Sequence, residues 1–101
     1  MTKLDIESNH LVQVLAILKT HLPANAKVYV FGSRAKNEAK QYSDLDLAID
    51  LGQKLDFSLE CKLKVDFEES LIPYTVDVVD LKSISESFRD NIKNDLVELK
   101  L

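Results

Sequence analysis

Two aspartates separated by one residue stand at the start of the most regularly alternating segment of the chain. In Asp44-Leu45-Asp46, the two carboxylates fall on the same face of a strand, about 6–7 Å apart, because side chains alternate between faces. Like charges at that spacing repel each other unless a cation lies between them. Oxygen ligands of this kind suit Mg²⁺, which binds through carboxylates together with substrate phosphates. For this pair alone, an ordinary solvated polar face is the alternative.

A third aspartate, Asp77, lies in a segment that is otherwise rich in valine. A carboxylate in such a strand is costly to bury unless it is paired or binds a metal ion. The alternative is an edge-strand residue that faces water. Asp80 ends the same segment and points to the other face, so we expect it to be a strand-end or capping acid.

A glycine and a serine, Gly32 and Ser33, follow the hydrophobic segment 27–31. Glycine lets the backbone approach a ligand closely, and free N–H groups at the start of a helical turn bind phosphate. Alone, such a pair is more often an ordinary turn. Combined with three carboxylates, it predicts a two-metal site for a nucleoside triphosphate. Asp44 and Asp46 would bridge two Mg²⁺ ions, and Asp77 would hold the second ion and help to receive a proton.

The elements that must position these residues follow from the hydrophobic periodicity of the chain. The predicted elements are a helix over 6–22, a strand over 27–31, a short helical turn and exposed loop over 34–42, a strand over 44–51, a helix from 56 or 58 to 71, a strand over 75–81, a helix capped by Ser83 or Ser85 and running to about 94, and an edge strand over 96–101. This order predicts an α+β fold, with a small mixed β-sheet and helices packed mainly on one face.

Length and composition narrow the class of protein further. We expect 101 residues to form a single domain over 1–101, without room for a second lobe. The net charge of −4 and the scattered lysines argue against direct nucleic-acid binding. Cys61 is the only cysteine, and no apolar run is long enough for a signal core or a membrane span. The sequence therefore predicts a soluble cytoplasmic protein.

Three segments together resemble a known family. They are FGSRAK at 31–36, YSDLDLA at 42–48 and VDVVDL at 76–81. The pattern is similar to the polymerase-β-type nucleotidyltransferase superfamily, and in particular to its small prokaryotic branch, the minimal nucleotidyltransferases. The resemblance covers roughly residues 28–88. It departs at Asn37, where many members have glycine, but asparagine tolerates left-handed backbone, so we expect the turn to form.

The resemblance implies a polymerase-β-like nucleotidyltransferase core with ATP as substrate and Mg²⁺ as cofactor. It assigns nucleotide binding to Gly32, Ser33 and Arg34. It assigns the catalytic and metal-binding roles to the carboxylates of Asp44, Asp46 and Asp77. It also implies a partner, because minimal nucleotidyltransferases are usually encoded beside a small all-helical protein of the HEPN type. Some act as antitoxins that transfer AMP from ATP to a tyrosine of that partner.

We therefore expect a Mg²⁺-dependent transfer of AMP to a hydroxyl of a helical partner. The small size of the chain separately predicts a partner that helps to complete the acceptor side, since no remaining segment would hold the acceptor. An exposed apolar patch should mark the contact. The alternative is a catalytically silent nucleotide-binding module that neutralises its partner by binding alone. A polymerase or repair role on nucleic acid is disfavoured by the acidic charge balance.

Overall fold

The computed structural model describes residues 4–101, in which three α-helices and four strands form. Their order is α1 (Ser8–His21), β1 (Lys27–Phe31), a 3₁₀ turn (Gly32–Arg34), β2 (Leu45–Asp50), α2 (Phe57–Glu69), β3 (Val76–Asp80), α3 (Glu86–Ile92) and β4 (Val97–Leu99). The predicted order of elements is confirmed, including the C-terminal edge strand. Their ends differ from the prediction by a few residues, as boundaries commonly do.

The four strands form one mixed sheet in the order β3-β2-β1-β4. β1 runs antiparallel to both β2 and β4, whereas β2 and β3 are parallel and are joined through α2. The predicted α+β class with a small mixed sheet is confirmed. The order makes β3 an edge strand beside β2, so the two strands that carry the predicted carboxylates are neighbours.

One face of the sheet forms the main core. In β2, the alternation predicted from the sequence is confirmed, because Leu45, Leu47 and Ile49 are fully buried and point to this face. The face is covered by α1 and α2, which contribute the buried side chains of Val14, Leu18, Leu63 and Phe67, and by Leu22, which directly follows α1.

The opposite face is covered only in part, by α3. Phe31, Ala48 and Ile92 form a second, smaller apolar cluster there, and the Phe31 and Phe88 rings meet edge to face at 6.1 Å. Helices therefore lie mainly on one face, as predicted. The part of this second face that α3 leaves open is where the candidate site lies.

Short polar contacts hold α3 in position. The Ser85 hydroxyl accepts a hydrogen bond from the Phe88 N–H at 3.1 Å, which confirms Ser85 as one of the two predicted caps. The Arg89 guanidinium donates to the Leu81 carbonyl at the end of β3. No helix within residues 4–101 is both long and apolar enough to cross a membrane.

Candidate active site

The turn after β1 is built around Gly32. Its φ is +76°, a conformation that L side chains rarely adopt, and a Cβ there would lie 2.5 Å from Oδ2 of Asp46. Both observations require glycine at this position. The close approach brings the start of the turn against the Asp46 carboxylate.

Ser33 occupies the first turn of the 3₁₀ segment. Hydrogen bonds inside the turn run from Ala35 N–H to the Gly32 carbonyl, and from the N–H groups of Lys36 and Glu38 to the Ser33 carbonyl. The N–H groups of Ser33 and Arg34 come before the first internal donor, so the turn itself gives them no acceptor. Such N–H groups suit an anion.

The three predicted carboxylates come together at the same end of the sheet. Asp46 pairs with Phe31 of β1 across the antiparallel ladder and with Asp77 of β3 across the parallel ladder. In-register residues of neighbouring strands point to the same face, so the Asp46 and Asp77 side chains lie side by side. Asp44 immediately precedes β2 and is exposed.

The electrostatics of Asp46 reflect this crowding. Partial burial raises the pKa of its carboxyl, and the negative charges of Asp77 and Asp44 raise that pKa further. The charges of Asp77 and Asp44 therefore both act on Asp46. Their mutual repulsion is the physical condition that a bound divalent cation relieves.

The donor set fits a Mg²⁺ ion in its chemistry, since it consists of carboxylate oxygens beside a turn whose first N–H groups suit an anion. Within residues 4–101, no three His, Cys, Asp or Glu side chains already converge as a complete set of metal ligands. Mg²⁺ commonly takes only one or two protein carboxylates and completes its shell with water and phosphate oxygens. The predicted metal-binding role of the three aspartates stays a prediction.

Asp77 is exposed rather than buried among the valines. The reason is that β3 is an edge strand and α3 leaves this part of the face open. The sequence argument that burial alone makes this carboxylate costly therefore does not apply. Its proximity to Asp46, not its burial, is what distinguishes Asp77 from an ordinary surface acid.

Asp80, in contrast, is a structural acid, as the sequence indicated. It is 6% exposed and accepts hydrogen bonds from the N–H groups of Leu55 and Lys82 and from the Ser83 hydroxyl, each within 3.0 Å. Burial acts to raise the pKa of this carboxyl, but the three donors together with the charge of Lys54 outweigh burial and lower it.

A cleft of about 610 Å³ opens beside the carboxylates. Asp46 and Asp77 line it from the sheet, Phe31 and Phe88 line it on one side, and Lys64 of α2 stands on the other. A volume of this size is typical of small-molecule and cofactor sites.

The side chain of Arg34 points into the protein. It is 5% exposed, and its guanidinium donates to the carbonyls of Asp5 at 2.8 Å, Gln41 at 3.3 Å and Ser43 at 3.0 and 2.8 Å. The guanidinium carbon also lies 3.8 Å from the centre of the Tyr74 ring. These contacts take up all three guanidinium nitrogens. The predicted nucleotide-binding role of Arg34 stays a prediction.

The contacts of Arg34 have a different consequence. They fix the loop over residues 41–43, which leads directly into Asp44 and β2. The Ser43 hydroxyl also accepts from the Lys40 N–H at 2.8 Å. Arg34 therefore positions Asp44 through the loop.

The turn departs from the family pattern at one position without losing its shape. Asn37 has a φ of +58°, the left-handed conformation that glycine adopts most readily. The prediction that asparagine would tolerate this conformation is confirmed.

Two residues of the cleft were not found by sequence reasoning. Lys64 belongs to α2 and Phe88 to α3, and each reaches the site only because its helix packs beside the sheet. No local pattern marks them, since periodicity indicates which side of a helix is apolar but not which element it approaches.

Comparison with known proteins agrees with the geometry. The family model described as polymerase beta, nucleotidyltransferase, matches residues 13–100. A probable protein adenylyltransferase, MntA, of Haemophilus influenzae is 46% identical over 91 residues, which is 90% of this chain and 79% of that protein. The chain belongs to the polymerase beta nucleotidyltransferase family and has the fold and the enzyme class of that family.

Two solved structures resemble this one closely. A chain of a mutant of the toxin–antitoxin MntA–HpeT matches with a TM-score of 0.70 and 26% identity, covering 93% of this chain and 72% of that one. A chain of a toxin–antitoxin with AMP-PNP matches with a TM-score of 0.64 and 27% identity over 77% of this chain. This chain spans 62% of the length of the latter.

Proposed function

We propose that the protein uses Mg²⁺ and ATP to transfer AMP to a hydroxyl group of a small all-helical protein of the HEPN type. The observation that carries the proposal is the pairing of Asp46 with Asp77 on neighbouring strands, with Asp46 against the Gly32 turn and Asp44 two residues before Asp46. The turn offers N–H donors to a triphosphate, and the carboxylates beside it offer oxygen ligands to the cations of that triphosphate.

Support for the nucleotide side comes from the turn after β1. The N–H groups of Ser33 and Arg34 and the Ser33 hydroxyl are available to phosphate oxygens. The structural relative with AMP-PNP was solved with an analogue of ATP, which favours an adenine nucleotide here. In this proposal Gly32 and Ser33 contact the triphosphate, and Arg34 contributes its backbone while its side chain holds the loop.

The reaction joins the acceptor oxygen to the α-phosphorus of ATP. The bond between that phosphorus and the oxygen leading to the β-phosphorus breaks, pyrophosphate leaves, and the hydroxyl proton goes to the carboxylate of Asp77. The Gly32 turn orients the triphosphate, and the sheet holds Asp77 on the far side of Asp46 from the turn. In-line displacement needs this kind of fixed placement more than any covalent chemistry from the protein.

The residues that would hold the metal ions are Asp44, Asp46 and Asp77. When bound, Mg²⁺ supplies positive charge that stabilises the transferring phosphoryl group and acidifies the attacking hydroxyl. Without a cation, partial burial raises the pKa of Asp46, and the charges of Asp77 and Asp44 raise it further. A cation also brings the negative triphosphate next to three carboxylates that would otherwise repel it.

Support for a protein partner comes from two directions. The relative from Haemophilus influenzae bears the name of a probable protein adenylyltransferase, and both structural relatives belong to toxin–antitoxin structures. The chain itself exposes large apolar side chains, with Phe57 at 77% and Leu71 at 86%. Apolar exposure of this kind marks surfaces that bind other proteins.

Labelled ATP tests the proposed transfer. The chain is incubated with Mg²⁺, the proteins of neighbouring genes and ATP labelled at either the α- or the γ-phosphate. The α-label should become covalently attached to one acceptor, and the γ-label should not. Asp44→Asn should lower the rate by at least about 100-fold, about 2.7 kcal/mol of transition-state stabilisation, because an amide lacks the metal-binding charge.

Chelation of Mg²⁺ should stop the wild-type reaction. Attachment of the γ-label, or full activity of Asp44→Asn, would contradict the proposal.

A second candidate is neutralisation of the partner by binding alone. The apolar surface around Phe57 and Val65 on α2 favours it, because this surface does not include the carboxylates. Asp44→Asn separates the two functions. A variant that has lost transfer but still suppresses the partner's activity would establish that binding is sufficient.

A further inference from the structure

The cleft beside the carboxylates crosses the free edge of β3. Five consecutive residues, 75–79, line it, so the cleft follows β3 along all of its residues except the last. Lys64 and Glu68 of α2 stand on one side of this edge, and Phe88 of α3 stands on the other. A cleft with this shape is a groove along a strand rather than a round cavity.

The backbone of β3 borders this groove, with Val76 8% and Val78 6% exposed as whole residues. The bonds from Leu45 N–H to the Thr75 carbonyl and from Leu81 N–H to the Ile49 carbonyl show that odd-numbered residues of β3 face β2. The N–H and carbonyl groups of Val76 and Val78 therefore face away from the sheet. In residues 4–101, no hydrogen bond of these two backbone positions is found outside the ladder with β2.

The order of strands separates the two substrates of the transfer. Gly32 follows β1, Asp46 lies on β2, and Asp77 lies on β3 at the edge of the sheet. A nucleotide held by the Gly32 turn occupies the β1 side of Asp46. The groove along β3 begins at Asp77 and extends away from that turn, which leaves it to the second substrate.

We propose that the acceptor is an extended segment of the partner polypeptide that pairs with the open edge of β3 and presents its hydroxyl-bearing side chain at Asp77. This inference rests on the proposed transfer reaction and adds how the acceptor is recognised. Strand addition to a sheet edge obtains affinity from main-chain hydrogen bonds and selectivity from alternate side chains. The five residues of β3 span about 16 Å, enough to pair with four or five acceptor residues.

Charge in the groove adds a sequence preference. Among the described residues that line it, Lys64 is the only cation, and it is exposed with its Nζ 3.3 Å from a Glu60 carboxylate oxygen. The other charged residues in the groove, Asp46, Glu68 and Asp77, are all acidic. An acidic acceptor residue that reaches Lys64 is attracted there and repelled elsewhere along the groove. Lys64 is thus a specificity-determining residue for the acceptor.

Peptide acceptors test the inference. The probe is a library of nine-residue peptides with a central tyrosine, incubated with the full chain, Mg²⁺ and α-labelled ATP. The wild type should prefer peptides with an acidic residue at one fixed distance from the tyrosine. Lys64→Glu should remove that preference and raise the KM for the preferred peptide at least about tenfold, while the Kd for AMP-PNP stays unchanged.

Lys62→Glu is the matched control. Lys62 is exposed on the same helix but lines a different groove, with Phe57 and Cys61, so this variant should keep the wild-type preference. N-methylation of the peptide backbone on alternate residues should lower transfer at least about tenfold, because it removes the donors that a strand needs.

Three results would overturn the proposal. They are an unchanged preference in Lys64→Glu, equal transfer to N-methylated peptides, or labelling of a folded partner without labelling of any peptide. In each case the transfer reaction itself still stands. If the wild type labels neither peptides nor partner proteins, that result contradicts the proposed transfer reaction itself.

Discussion

The contact between Gly32 and Asp46 is the tightest constraint in the candidate site. A methyl group at position 32 cannot coexist with the Asp46 carboxylate in its present place, because the Cβ would lie 2.5 Å from Oδ2. We expect Gly32→Ala to displace that carboxylate and lower AMP transfer at least about 100-fold. The left-handed φ adds a stability loss of roughly 1 kcal/mol.

Gly52→Ala is the control for backbone strain. Its φ is +79°, almost the same as that of Gly32, but an added Cβ would meet nothing within 4 Å. Urea unfolding should show a loss of roughly 1 kcal/mol in both variants, whereas only Gly32→Ala should lose transfer. Equal transfer rates in the two variants would contradict the role assigned to the Gly32–Asp46 contact.

The raised pKa of Asp46 leads to a prediction about stability. The folded protein binds this proton more tightly than the unfolded chain, whose aspartates titrate near 3.8. Without metal, the stability therefore falls as the pH rises from about that value through the raised folded pKa, and the penalty persists at neutral pH. Asp46→Asn should raise the Tm at pH 7 by a few degrees, and the gain should shrink towards pH 3.8.

Thermal unfolding with and without Mg²⁺ measures this effect. Mg²⁺ should raise the Tm of the wild type and have little effect on Asp46→Asn. Asp50→Asn on the same strand is the control, because Asp50 accepts a hydrogen bond from the Gly52 N–H at 2.8 Å and should not gain stability. A lower Tm for Asp46→Asn at pH 7 would refute the repulsion.

At the scale of residues, the sequence predicted which acids would meet but not their surroundings. Alternation predicted that Asp44 and Asp46 share a face, and the valine-rich segment around Asp77 singled out the third acid before the resemblance did. Exposure of Asp77 could not be predicted, since it depends on β3 lying at the edge of the sheet. The inward direction of the Arg34 side chain could not be predicted either, because its hydrogen-bond acceptors are backbone carbonyls of residues distant in sequence.

At the scale of elements, the loop before β2 depends on one buried cation. Arg34→Lys keeps the charge but loses the planar set of donors that reaches Gln41, Ser43 and Asp5 at once. Unpaired buried carbonyls should cost about 2 kcal/mol or more. AMP transfer should fall as well, since Asp44 directly follows this loop.

The resulting mobility can be observed directly. Amide hydrogen exchange over residues 40–44 should become faster in Arg34→Lys. It should remain unchanged in Lys36→Arg, the surface control, because the ammonium group of Lys36 pairs with Asp95 at 3.3 Å and does not contact the loop carbonyls that Arg34 binds. If Arg34→Lys exchanges its amide hydrogens and transfers AMP at the rates of the wild type, the loop keeps its position without the guanidinium.

The order of elements was predictable because each has a simple local signal. Strict alternation marks β2, the run of β-branched and aromatic residues marks β1, and Ser85 begins α3. The pairing of strands was not predictable, since a parallel β2–β3 pair and an antiparallel β1–β2 pair read alike in a sequence. The groove between α2 and the edge of β3 follows from that pairing, so Lys64 was missed.

At the scale of the whole molecule, one face of the sheet forms the core and the other carries the candidate site. The face under α1 and α2 holds the main core, and the other face is half covered by α3 and carries the carboxylates at its open end. α2 contributes both to the groove along β3 and to an exposed apolar surface. Lys64 borders the groove, and Phe57 and Val65 are exposed on the same helix. A partner that contacts α2 would be close to the open edge of β3.

The proposed reaction depends on Asp77 and not on Asp80, the two acids of β3. Asp77 lies beside Asp46 in the cleft, whereas Asp80, three residues later, is buried and accepts three hydrogen bonds. Transfer of α-labelled AMP by Asp77→Asn and Asp80→Asn, compared per folded molecule, separates the two roles. Asp77→Asn should lose at least about 100-fold in rate without a loss of Tm, because removing its charge relieves repulsion at Asp46. Asp80→Asn should unfold at lower urea and transfer AMP within a few-fold of the wild type, and the reverse pattern would contradict the account.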